Sequence, residues 1–348
     1  MQLKNAALAA GSIFVSFVVG VWVAGYLTVP NPQMVVSGGD FMTFDPEIGF
    51  VARPSHHAHR IDGPTPNRPP NSFDIYTDDR GARVDGPEKQ RSPARSEIVT
   101  VGCSFTWGQA VEARDTYASV LARTLGTSNE NLALAGYATT QSLQLLKRNR
   151  DLQPKLVIYG FIYAHLDRNI EACGPTYHPF CMGVAHVAWD GQGKPYIAPP
   201  LSDGARRAYE HLMGTGWSPA RWLEHGLDVI RGRIEYGWYR SRIPDLAHRE
   251  QAFAYLFGDM QRTVAEMGAE LLVVFIPTAY EPAPPELARY IGKTRLIDMT
   301  PIFERHRKDG GAPLYIVDDG HPNPLAHKLI AAEIERYVRE TKLLPASP

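Results

Sequence analysis

A serine, a histidine and a pair of carboxylates stand at turn-like places in this chain, and together they can do acyl chemistry. The serine is Ser104, within Glu97-Ile98-Val99-Thr100-Val101-Gly102-Cys103-Ser104-Phe105-Thr106. The apolar, β-branched run reads as a strand that stops at a glycine, with a small polar turn before a helix, so a strand-to-helix elbow would present the hydroxyl. A serine there is also a good helix N-cap, so its chemistry depends on partners elsewhere. Those partners are offered by Asp318-Asp319-Gly320-His321-Pro322-Asn323-Pro324. A carboxylate at Asp318, three residues before His321 and held in a turn by Gly and Pro, would reach the ring nitrogen facing away from the serine and fix its tautomer. The same residues are ordinary turn formers. If they meet, Ser104 is the nucleophile, His321 the base and Asp318 its orienting acid.

The elements that must bring them together alternate between strand and helix. After the strand at Glu97, the sequence predicts a helix over Ala113 to Leu125 and a short strand over Asn131 to Leu134 ending near Gly136. A helix over Thr140 to Arg148 and an almost wholly apolar strand over Lys155 to Ile162 follow. Further on come a helix over Ala252 to Met267, strands over Glu270 to Ile276 and Leu296 to Met299, and a closing amphipathic helix over Leu325 to Val338. This pattern implies an α/β fold: a doubly wound parallel sheet, flavodoxin-like, in three α/β/α layers. In such sheets ligands bind outside the carboxyl ends of the strands. Ser104, Gly136, Ala164 with His165, and Asp318 with His321 all fall on that rim.

The chain has 348 residues and a formal net charge of −1, which gives no electrostatic footprint for nucleic acid. It has no phosphate-cradling GxxxxGK loop, no dinucleotide GxGxxG and no repeat, so no cofactor is expected. No C-x-x-C pair or H-E-x-x-H spacing points to zinc, and His56, His57 and His59 read as solvated loop residues. Residues 1–30 are expected to be a transmembrane anchor, because Ala6 to Val29 is an uncharged apolar run of bilayer length. A cleaved signal peptide is the rival. Lys4 before the run and Asp40, Asp45 and Glu47 after it place the body outside the cytoplasm. An exported body implies a Cys173–Cys181 disulfide, while Cys103 reads as a small apolar side chain. Residues 31–95 read as an irregular arm with one or two short strands such as Ser72 to Tyr76. The main domain spans 96–345 with a helical insertion at about 170–249, whose helices are expected over Arg206 to Met213 and Trp222 to Tyr239. Its aromatics, Trp217, Trp222, Tyr236, Trp238 and Tyr239, would fasten it to the body or stack on sugars.

Across about Glu97 to Tyr337, less the insertion, the chain resembles the SGNH (GDSL-like) hydrolase superfamily. Gly102-Cys103-Ser104-Phe105-Thr106-Trp107-Gly108 is similar to its first block, with Cys103 where that block usually has Asp. Asn131-Leu132-Ala133-Leu134-Ala135-Gly136-Tyr137 is similar to the second, and Asp318 with His321 to the D-x-x-H block. Gly160 to Asn169 resembles the third, but Ala164 stands at its asparagine. The resemblance implies an oxyanion site at Ser104 and Gly136, with His165 or Asn169 as substitute third donor. Phe44-Asp45-Pro46-Glu47-Ile48-Gly49-Phe50 resembles the leader of membrane-anchored bacterial members associated with surface polysaccharide. It implies a serine esterase or O-acyltransferase acting on acyl, chiefly acetyl, esters of a carbohydrate. Such an enzyme would sit as a single-pass protein in the bacterial inner membrane, its catalytic domain in the periplasm with polysaccharide-biosynthesis partners. A lysophospholipase-like esterase and a noncatalytic carbohydrate-binding scaffold are the alternatives.

Overall fold

The structure is a computed structural model that describes residues 2–27, 34–37, 41–172, 183–200, scattered positions between 220 and 234, 246–278 and 291–344. After a first helix α1 (Gln2–Leu27), the arm contributes β1 (Met34–Ser37), β2 (Met42–Asp45), β3 (Gly49–Ala52), β4 (His57–Asp62), β5 (Asn71–Thr77) and β6 (Arg83–Val84). The body begins with β7 (Ile98–Gly102), α2 (Ser104–Trp107), α3 (Tyr117–Leu125), β8 (Asn129–Asn131), α4 (Thr139–Arg148), β9 (Leu156–Phe161) and α5 (His165–Arg168). A small hairpin of β10 (His186–Trp189) and β11 (Pro195–Ala198) follows. Then come α6 (Leu246–Glu266), β12 (Glu270–Phe275), β13 (Arg295–Asp298), α7 (Thr300–Lys308) and α8 (Pro324–Thr341).

One sheet of nine strands runs in the order β1-β4-β5-β6-β8-β7-β9-β12-β13. From β8 to β13 every pairing is parallel. Counted along the chain, that half has the order 2-1-3-4-5 of doubly wound sheets, with its topological switch between β7 and β9. The expectation of a parallel, doubly wound sheet holds for this half. Residues of β7, β9 and β12 are buried on both faces, which explains their unbroken apolar character. Val99, Val101, Tyr159, Phe161, Val273 and Phe275 point to one core, shared with Leu146 of α4 and with Phe253, Leu256 and Met260 of α6. Ile98, Ile158, Leu272, Val274 and Ile297 point to the other, against Tyr117, Leu121, Phe303, Ile330 and Ile334 of α3, α7 and α8. The period of two along each strand thus separates three layers.

The arm is more regular than its composition suggests. Four of its strands extend the sheet antiparallel from β8, and β2 and β3 form a separate hairpin. In β5, Phe73, Ile75 and Thr77 are buried while the residues between them are not, an alternation too short to stand out among the neighbouring Pro, Gly and Asp. His57 and His59 are not free loop residues. They lie on β4 with ring nitrogens 2.9 and 3.1 Å from Asp74 Oδ1, and His57 stacks on Tyr76.

The leader-like segment is a structural clasp. Asp45 accepts from the N–H groups of Glu47 and Ile48 and receives both ends of the Arg148 guanidinium from α4. Burial raises the pKa of Asp45, but Arg148 and the two amides outweigh it and leave the group below the usual carboxylate range. Gly49, at φ +111°, has no room for a side chain: a Cβ would stand 2.5 Å from the Gly183 carbonyl. The Phe50 carbonyl accepts from the Tyr137 hydroxyl at 2.8 Å. The clasp therefore braces the turn that carries Gly136.

Side chains of α1 are described for residues 11–23, where Ile13, Phe14, Val15, Phe17, Val19 and Val23 are exposed. Among the described residues no helix is long and apolar enough to cross a membrane, so the transmembrane expectation is not met by them. Val21 is buried, and Gly226 of the insertion lies so close to its backbone that a Cβ there would collide with the Val21 carbonyl. Cys173, Cys181, the helix expected over Arg206 to Met213, and Trp217, Trp222, Tyr236, Trp238 and Tyr239 lie outside the described residues.

Candidate active site

Ser104 opens α2 directly beyond the carboxyl end of β7, beside the switch between β7 and β9. Two glycines make its elbow possible. Gly102 and Gly160 face each other in register, and Thr106 Oγ1 fills the space where their side chains would be. Gly102 has φ +151°, and a Cβ on it would come within 2.5 Å of Thr106 Oγ1 and 2.6 Å of the Gly160 carbonyl. Thr106 is then locked by the Tyr117 hydroxyl, which donates to it at 3.1 Å. The Cys103 carbonyl accepts from the N–H groups of Thr106 and Trp107, so the Ser104 N–H has no partner inside the helix.

The loop before α8 supplies the histidine that Ser104 meets. Ile316 N–H donates to the His321 carbonyl, Gly320 N–H returns to the Ile316 carbonyl, and Gly320 has φ +83°, so the segment turns back on itself in six residues. At its end His321 Nε2 stands 2.8 Å from Ser104 Oγ, across 217 positions of sequence. Its imidazole packs at a tilt on the Phe105 ring, 5.2 Å between centroids, which limits its rotation. Ser104 is 6% exposed and the His321 side chain 23%, so the pair is enclosed but reachable.

The acid at the far side of the ring is Asp319 and not Asp318. His321 Nδ1 lies 2.6 Å from Asp319 Oδ1, and the His321 N–H donates to the same oxygen at 3.1 Å. Burial pushes the Asp319 pKa up, but the His321 ring, its charge and its backbone N–H outweigh that and leave it below the usual range. Asp318 has φ +60°, which turns its side chain outward to the β4–β5 turn. There it accepts from Thr65 Oγ1 at 2.6 Å and from Asn67 Nδ2. Those two bonds hold its pKa down as well.

Gly136 lies on the same rim at φ +84°, just past the segment in which Leu132 and Leu134 N–H groups bond to the Thr100 and Gly102 carbonyls. The hydrogen bonds of His165 and Asn169 go to groups other than Ser104. His165 is wholly buried, with Nδ1 2.8 Å from the Tyr159 hydroxyl and its ring against Tyr159 and Phe161, and burial drives its pKa well down. Asn169 is also wholly buried and caps α4. Its Oδ1 accepts from the N–H groups of Thr139 and Thr140, and its Nδ2 donates to Thr139 Oγ1. That role was hidden in the sequence because the residue at the N-cap is Ala138, which has no capping side chain. His327 was not singled out by sequence. It is buried on α8, accepts from the Tyr117 N–H through Nδ1, and burial pulls its pKa down to about 3, so it is neutral. It ties the start of α3 to the helix that follows His321.

Ser104, His321 and Asp319 thus form a continuous relay in which a hydroxyl proton can pass to a ring held in one tautomer by a carboxylate. Cys103 is buried and its thiol pKa is raised by burial, which keeps it protonated and inert. Among the described residues no cluster of three or more His, Cys, Asp or Glu is arranged to hold a metal ion.

No family model and no curated protein sequence matches the chain. Among solved structures, TesA overlaps 71% of this chain and 99% of its own at 15% identity and a TM-score of 0.35. A member of the lipolytic protein G-D-S-L family from Veillonella parvula overlaps 70% and 98% at 9% identity and 0.34. A family two carbohydrate esterase from Clostridium thermocellum, in complex with cellohexaose, overlaps 89% and 100% at 11% identity and 0.35. Overlaps this loose establish no relationship, and the chemistry of the site rests on its own geometry.

Proposed function

We propose that this chain is a serine esterase or O-acyltransferase that takes acyl groups, chiefly acetyl, from esters of a carbohydrate. The observation that carries the proposal is the 2.8 Å contact between Ser104 Oγ and His321 Nε2, backed by Asp319 at 2.6 Å from the other ring nitrogen. His321 takes the Ser104 proton as Oγ attacks the ester carbonyl, and Asp319 stabilises the imidazolium that forms. The Ser104 and Gly136 N–H groups receive the oxyanion. His321 then returns its proton to the departing alcohol, leaving an acyl-serine that water or a sugar hydroxyl resolves. With Ala164 at the third donor position and His165 turned into the core, this oxyanion site works with two donors, and the lost donor costs about 10²–10³ in rate.

The exposed apolar side chains of α1 support attachment of the body to a membrane, in line with the charge bias that puts the body outside the cytoplasm. The same observation favours a second reading, a lipid-directed esterase whose site is held close to a bilayer. Full-length protein in mild detergent is expected to hydrolyse p-nitrophenyl acetate and to be labelled by a fluorophosphonate, and Ser104→Ala to do neither. Equal activity of the two forms would remove the nucleophile. Preference for acetyl over long-chain esters would favour the carbohydrate reading, and the reverse preference the lipid one.

A further inference from the structure

The backbone that follows Ser104 turns several carbonyls of buried residues toward the arm, and the arm supplies donors to them. Arg83, on β6, is 3% exposed. Its Nη1 donates to the Trp107 carbonyl at 2.8 Å and to that of Gly108, and its Nη2 donates to the Val111 carbonyl at 2.6 Å. The guanidinium lies over the Trp107 ring, 5.1 Å from its centroid. Beside it, Asn71 Nδ2 donates to the Ala110 carbonyl at 2.8 Å. A buried guanidinium usually sits against a carboxylate. Here Glu112 and Asp85 act only through space, and the hydrogen bonds described for Arg83 all go to backbone oxygens. Burial pulls its pKa down to about 10, which still leaves a cation at neutral pH.

Those carbonyls belong to the turn that aims the nucleophile. Gly108, at φ +84°, ends α2, and the N–H groups of Gly108 and Gln109 both return to the Ser104 carbonyl, at 2.9 and 3.0 Å. Two hydrogen bonds therefore connect the Arg83 fork to the backbone of Ser104. The arm also reaches the other half of the site, since Thr65 and Asn67 hold Asp318, the neighbour of Asp319.

We propose that Arg83 is a positioning residue: by gathering the carbonyls of Trp107, Gly108 and Val111 it fixes the turn from which Ser104 Oγ meets His321 Nε2. This inference rests on the reading of Ser104 as nucleophile. Lysine keeps the charge but lacks the planar fork that spans several acceptors, so it separates geometry from charge. A displacement of about 1 Å at a reacting atom costs on the order of 10²-fold.

In full-length protein, Arg83→Lys is expected to keep its circular dichroism spectrum while kcat for p-nitrophenyl acetate falls about 10- to 100-fold. KM should stay within about twofold, and fluorophosphonate labelling should slow in the same proportion as kcat, because the lost alignment acts on the attack itself. Arg83→Gly supplies the second arm: millimolar guanidinium ion, well below denaturing levels, should restore rate saturably, and methylammonium should not. A folded Arg83→Lys with the kcat and labelling rate of the unaltered protein would overturn the proposal, as would an Arg83→Gly deficit indifferent to guanidinium. Ser104→Ala in the same assays tells the two failures apart. If it is inactive while Arg83→Lys matches the unaltered protein, only the positioning role is lost. If it is as active as the unaltered protein, the nucleophile falls and the positioning role with it.

Discussion

Exchanging Asp319 for asparagine tests the site where sequence and structure diverge. In the proposed mechanism the ring becomes an imidazolium in the transition state, and the carboxylate faces it at a charge separation of about 4 Å, worth about 4 kcal/mol at an effective dielectric of about 20. The Asp319 side chain is 20% exposed, so solvent screens only part of this. At 1.36 kcal/mol per factor of ten, the electrostatic loss alone is about three orders of magnitude. The asparagine amide would also favour the tautomer whose Nε2 bears the proton and cannot accept from Ser104, and the same change in a serine-protease triad costs about 10⁴. The expected fall in kcat/KM for Asp319→Asn is therefore about 10³ to 10⁴, with p-nitrophenyl acetate as substrate and circular dichroism as the check on folding. Asp318→Asn, which changes only the contacts to Thr65 and Asn67, should stay within about threefold. A small loss at Asp319 together with a thousandfold loss at Asp318 would refute the assignment and return the acid to the position three residues before the histidine.

Two further changes probe the frame around the site. Asp78 Oδ2 and Glu130 Oε2 are buried with no other partner among the described residues, and burial together with the facing Asp78 pushes the Glu130 pKa up to about 9. Folded protein then keeps a proton that the unfolded chain gives up above about pH 4.5. Stability should accordingly fall as pH rises from about 4.5 to 9 and level off beyond, while Glu130→Gln should flatten that slope in thermal melts. Parallel melting curves for the two forms would show that no proton is shared. Gly160→Ala would drive a methyl into Thr106 Oγ1 and to 2.7 Å from the Tyr117 hydroxyl. Overpacking of this kind costs about 1–3 kcal/mol, so Tm should drop by several degrees, and with it the proposed hydrolysis of p-nitrophenyl acetate. An unchanged Tm would mean the Thr106 wedge is free to move.

The central strands, the closing helix and the pairing of Ser104 with His321 were legible in the sequence because each depends on local pattern and on a rim that parallel strands share. The strand expected over Glu97 onward is β7, and the one expected over Lys155 to Ile162 is β9. What escaped was decided by distant contacts. Asp318 and Asp319 have nearly the same local surroundings, and the choice between them follows from φ +60° at Asp318 and from Thr65 and Asn67, some 250 positions away. Asn169 resembled an oxyanion donor until the bare N-cap at Ala138 claimed it. The arm looked irregular because each of its strands is short and gains its regularity from a partner.

The seam between arm and body carries a lesson about autonomy. Strand β6 meets β8 through a single register pair, Arg83 with Asn131. Side chains also join the two parts, among them Arg83, Asn71 and Tyr137 reaching carbonyls across the seam. Cutting the polypeptide at the apparent boundary near residue 96 would bare a sheet edge and strand Glu130 beside a vanished partner. The body from residue 96 onward therefore shares its buried polar contacts with the residues before it, and a boundary drawn there runs through them.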